Sequence, residues 1–130
     1  MQDIDATFNV INSNLNMTII PARNVAVDLM IRKEELEQRL DMNNEISQYL
    51  YKRFVNDRYY GIKKERVIWD ISVIAYLINK NWFETKEIKG LSLSDNLQYY
   101  TNSSTSTKLI VEKLDNNKIY DDFFEVLNRE

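Results

Sequence analysis

Residues 66–78 read RVIWDISVIAYLI, an almost unbroken apolar run with one carboxylate, Asp70, set in its middle beside Trp69. A run of this kind has to be covered by other elements, and burying an unpaired carboxylate within it is costly. The length and the lack of breakers predict a helix from Ile71 to about Asn79, which leaves Asp70 at its start. Two roles follow for that carboxylate. It caps the helix by accepting backbone N–H bonds that would otherwise be unpaired. Or it ligates a hard cation, because Ca²⁺ takes carboxylate oxygens and a helix end fixes the carboxylate in place. Both can hold at once.

The rest of the chain narrows the chemistry available around it. There is no cysteine and no histidine among the 130 residues. Disulfides, zinc-thiolate sites, cysteine nucleophiles, Ser-His-Asp triads and histidine-based metal sites are thereby excluded. With only Gly61 and Gly90 present, there is no glycine-rich loop to cradle phosphates. A net charge of −3 argues against a broad nucleic-acid footprint and against docking on an anionic membrane. The N-terminus MQDIDATFNV is acidic where a signal peptide is basic, and no apolar stretch is long enough to span a bilayer, so a cytoplasmic protein is expected.

Along the chain, Asp3 is placed to cap a helix through about Ser13, with Ile4, Phe8 and Ile11 on one face. MTIIP is short, β-branched and stopped by Pro21, as a buried strand is. IRKEELEQRL reads as a surface helix with oppositely charged partners three or four apart. NNEISQYLYKRFVNDRYYG opens on cap-like asparagines and predicts a packed helix with Ile46, Tyr49, Leu50 and Phe54 on its inner side. GLSLS, LQYYT and KLIVEKL predict two or three late strands, with NSSTST as the loop between the last two. IYDDFFEVLNR closes the chain as a helix whose apolar side carries Phe123, Phe124 and Leu127. The basic, aromatic-rich stretch around Lys52, Arg53, Arg58 and Arg66 reads as a solvated face rather than a nucleic-acid site. Asp121, Asp122 and Glu125 are explained by the dipole of the closing helix.

Taken in order, these segments resemble the C-terminal part of the inosine-uridine-preferring nucleoside hydrolase family. VIWDISVIAYLINKNWFETKEI resembles the family's late segment, in which a His-Asp pair starts a buried helix of pattern D-x-x-x-x-A-x-L-x-x-P. QDIDATFNVINS is similar to its Asp-Pro-Glu-Ala-Ala helix, MTIIPARNVAVDLMI to the strand and turn that follow, and KEELEQRL to the next helix. KGLSLSDNLQYYT and STKLIVEKLDNNKIYDDFFEVL are similar to its closing strands and final helix.

The resemblance implies an α/β protein of a family that binds Ca²⁺ and cleaves the N-glycosidic bond of ribonucleosides with water. It makes Asp70 a metal ligand that also touches the ribose. Trp69 stands where many members have the histidine that protonates the leaving base; tryptophan can stack on a base but is no acid. Tyr59 and Tyr60 match a segment that closes over the nucleobase, so Trp69, Tyr59 and Tyr60 are the substrate-binding candidates. No catalytic residue carries over. The family's aspartate cluster D-x-D-x-x-x-D-D, which supplies the other metal ligands and the base, has no equivalent: Asp3 and Asp5 are followed by ATFN.

The expectation is one domain over residues 1–130, a partial mixed sheet of about four strands flanked by helices, equivalent to the C-terminal portion of the nucleoside hydrolase fold. The expected unit is an isolated domain, a truncated hydrolase or one piece of a split enzyme, inactive alone, that takes a nucleoside or ribose if a complete site is assembled. Its exposed apolar surface calls for a homo-oligomer or for the missing N-terminal half. The alternative is a non-catalytic α/β interaction module that self-associates or complements a partner chain, with Asp70 only a cap.

Overall fold

Thr107–Leu114 forms the strand on which the molecule is built, with Lys108, Val111 and Leu114 buried along it. In the computed structural model, which describes residues 3–58 and 65–129, it is the last of seven short strands. They are β1 (Met17–Ile19), β2 (Met30–Arg32), β3 (Glu65–Val67), β4 (Phe83–Lys89), β5 (Leu91–Leu93), β6 (Tyr99–Thr101) and β7 itself. The helices among the described residues are α1 (Ile4–Asn12), α2 (Lys33–Arg39), α3 (Glu45–Val55), α4 (Ile71–Ile78) and α5 (Asn116–Leu127). The chain is thus mixed α/β, and no helix among the described residues is long and apolar enough to cross a membrane.

The strands do not form one sheet. β7 lies between β1, parallel to it with Thr18 opposite Leu109, and β4, antiparallel with Lys86 opposite Ile110. β2 and β3 make a separate antiparallel pair, as do β5 and β6. The single partial sheet of about four strands expected from the sequence is therefore replaced by a three-stranded mixed sheet and two small pairs. β4 falls where no strand is expected: FETKEIK carries four charges, and past its buried first residue the side chains on both faces are mostly exposed, so no apolar alternation marks it. β2 and β3 are three residues each and merge into helical or basic sequence, so they have no alternation long enough to detect.

Local chemistry sets the ends of the helices. The Asp3 carboxylate accepts from the Ala6 amide at 2.9 Å, and the Asn44 side chain accepts from the amides of Ile46 and Ser47 at 2.9 and 3.2 Å. Asp115 accepts from Lys118 N–H at 3.2 Å; its ion pair with the Lys118 ammonium, and then that amide, hold its carboxyl below the usual range. The core lies between β7 and helices α2, α4 and α5, around Leu29, Ile31, Val111, Ile119 and Phe124. α2 is fastened over it by Arg39, which pairs with Glu35 and Asp121 and lies 5.4 Å from the centre of the Phe124 ring. Asp121 is thus held by a specific cation, beyond the helix dipole.

Two helices expose apolar residues that were expected to be covered. α3 buries Ser47 fully and packs Tyr51 and Phe54 against the core, while Ile46 and Tyr49 are 59% and 62% exposed. Phe54 alone of the expected inner stripe turns inward. α4 buries Ser72, Ala75 and Tyr76 and exposes Val73, Ile74, Leu77 and Ile78, so the helix expected to be buried is covered on one side only. Tyr76 sets that side, meeting Phe83 edge to face at 5.3 Å and accepting from the Thr18 hydroxyl at 3.4 Å.

Candidate functional site

β3 delivers the Trp69-Asp70 pair. Its pairing with β2 places Val67 opposite Met30, and Ile68 N–H continues the ladder to the Leu29 carbonyl at 2.9 Å. The chain then turns outward. Ile71, Ser72 and Val73 N–H donate to the carbonyls of Ile68, Trp69 and Asp70 at 3.3, 3.0 and 3.3 Å, so the helical turn has begun before α4 is reached.

This geometry answers how a carboxylate sits within the apolar run. Asp70 is exposed, and it lies in the turn where the run leaves the core, so no burial cost arises. The expected cap is not formed: Asp70 makes no side-chain bond to the helix amides. A capping side chain folds back from an extended backbone, whereas Asp70 already has helical angles, φ −63° and ψ −27°. Its carboxylate has no hydrogen-bond or ion-pair partner among the described residues.

Trp69, 45% exposed, and Asp70 line one open cleft of about 350 Å³ with Arg53 and Leu50 from α3, Asp57 just beyond it, and Arg66 from β3. Arg66 Nη1 approaches Asp57 Oδ2 at 3.4 Å, which orients the two across the cleft wall. An indole face, an uncommitted carboxylate and a second, exposed guanidinium on Arg53 therefore look into the same space. Such a set suits a ligand with a flat ring and hydroxyl or anionic groups. Arg53, Asp57 and Arg66 are the members that sequence reasoning missed as site residues. They come from a helix, a turn and a strand, so no spacing along the chain joins them. Tyr59 and Tyr60 lie outside the described residues.

The residues described do not fit a calcium site by themselves. No group of three or more acidic side chains comes together among them, and Asp57, the other carboxylate of the cleft, is turned to Arg66. Ca²⁺ takes six to eight oxygens. Asp70 alone supplies at most two.

No family model matches the chain, and no curated protein matches it.

Proposed function

We propose that this chain is the nucleoside-facing C-terminal part of a nucleoside hydrolase-like protein, with Trp69 stacking on the base and Asp70 accepting from ribose hydroxyls. One observation carries the reading: the Asp70 carboxylate, unspent on its helix, shares a cleft with an exposed tryptophan. The order in which its segments resemble those of the family supports it. No hydrolytic step is assigned to these residues, because Trp69 is no acid and the described residues do not bring together the carboxylates that would complete a metal site.

The test uses the chain's two tryptophans. In Trp82→Phe, only Trp69 emits, and purine nucleosides are expected to quench it, with the quenching lost on adding Asp70→Ala. Unchanged emission across the nucleoside panel would overturn the reading. Ribose release with Ca²⁺ present is expected to be nil for the wild-type chain, and release abolished by Asp70→Ala would refute the claim that it cannot hydrolyse alone. Because Asp70 is no cap, Asp70→Ala should change urea stability by less than about 0.5 kcal/mol. A loss near 1 kcal/mol would make it structural.

A second reading, that of an interaction module, is favoured by the apolar faces of α3 and α4 that the fold leaves uncovered.

A further inference from the structure

The Trp69-Asp70 cleft holds two kinds of polar group, and a nucleoside uses only one of them. Asp70 accepts hydrogen bonds. Arg53, exposed in the last turn of α3, and Arg66, half-exposed on β3, line the same cleft as cations. Arg66 is turned to Asp57, whereas the Arg53 guanidinium has no hydrogen-bond or ion-pair partner among the described residues. Neither arginine forms an ion pair with Asp70, so the acceptor and the cations stand apart within one space. A bare nucleoside is neutral. It occupies the indole and the carboxylate and brings nothing to the arginines.

We propose that the cleft takes a nucleoside 5′-monophosphate in preference to the bare nucleoside, with Arg53 holding the phosphate. This rests on the nucleoside reading above and narrows its ligand class. Asp70 accepts from the 2′- and 3′-hydroxyls of a ribose only when neither is esterified, which leaves O5′ to carry the phosphate. With two glycines in the chain and no glycine-rich loop, side chains have to hold that group. Guanidinium is suited to it, being planar, always charged and able to donate to two phosphate oxygens at once. The net charge of −3 repels an anion at long range, so a preference for phosphate has to arise from cations at the site itself. The cleft volume of about 350 Å³ falls within the range of about 300–1,000 Å³ common for small-molecule sites.

The experiment is titration calorimetry at low salt with adenosine, adenosine 5′-monophosphate and adenosine 3′-monophosphate, on the wild type, Arg53→Gln and Lys52→Gln. The wild type is expected to bind the 5′-monophosphate about 10-fold or more tighter than adenosine, the scale of one charge-assisted contact. The 3′-monophosphate, which blocks a hydroxyl that Asp70 needs, should bind no tighter than adenosine. Arg53→Gln should bring the 5′-monophosphate preference below about 3-fold. Lys52→Gln removes the same charge one residue away, outside the cleft, and should keep the preference. Both positions are exposed, so circular dichroism should show folded variants. Adenosine bound as tightly as its 5′-monophosphate overturns the proposal and leaves the nucleoside reading standing. No binding of any of the three overturns both. A preference that survives Arg53→Gln, falls equally in Lys52→Gln, or extends equally to the 3′-monophosphate takes the phosphate away from Arg53 and overturns the proposal as well.

Discussion

Tyr120 carries its phenol into the core at 3% exposure, with no hydrogen-bond partner for the hydroxyl. Burial first, and then the charge of Glu35, push that hydroxyl well above the usual tyrosine range, against a smaller opposing pull from Arg39. A buried unpaired hydroxyl costs about 1–3 kcal/mol, so Tyr120→Phe is expected to stabilise the chain by about 1 kcal/mol in urea melts. The pH dependence has a definite sign. The folded chain holds this proton more tightly than the unfolded one, so its stability falls as pH rises above about 10. Tyr120→Phe should therefore move the alkaline unfolding midpoint upward; an unchanged or lower midpoint would show the hydroxyl to be satisfied. Asp70 is the contrasting residue: charged, and placed where the apolar run meets solvent. The run itself marked a special position at Asp70, but whether the carboxylate capped, ligated or stood uncommitted depended on backbone angles that no residue pattern encodes.

Among the elements, the join between β4 and β5 turns on Gly90. Its φ is +65°, its N–H donates to Ser106 and its carbonyl accepts from Asn102 N–H. A Cβ there would stand 2.3 Å from the Asn102 carbonyl oxygen, a backbone atom that cannot swing aside. Gly90→Ala is accordingly expected to cost more than about 2 kcal/mol, combining the left-handed penalty with the clash. A thermal melt within 2 °C of wild type would contradict this, since about 1 kcal/mol already moves a domain of this size by several degrees. Two helix starts were legible at this scale, since Asp3 and Asn44 bond as side-chain caps where expected, whereas the cap of the closing helix, Asp115, stands before the start at Ile119 that its apolar pattern indicates. β4 was not, because after Phe83 neither of its faces is well covered, so it keeps charged residues and lacks the alternation that would reveal it.

For the molecule as a whole, protection should follow the sheet order. β7 is hydrogen-bonded on both sides, whereas β6 pairs on one side only and all three of its residues are exposed. Hydrogen exchange is expected to be slowest across Lys108–Leu114 and fastest, among the strands, at Tyr99–Thr101. Comparable rates in both would mean that the three sheets open as one unit. The sequence by itself determined the mixed α/β class, most helix positions, the strands of the last third and the exclusion of histidine and cysteine chemistry. These follow from local periodicity, capping side chains and residue content, which are properties of neighbouring residues. Only the tertiary structure decided that the strands divide among three sheets, that α3 and α4 turn apolar residues outward, and that Arg53, Asp57 and Arg66 join Trp69 and Asp70 in one cleft. An amphipathic pattern says that a helix has an apolar side, but which side is covered depends on what packs against it, and that is fixed by contacts between residues far apart in the chain.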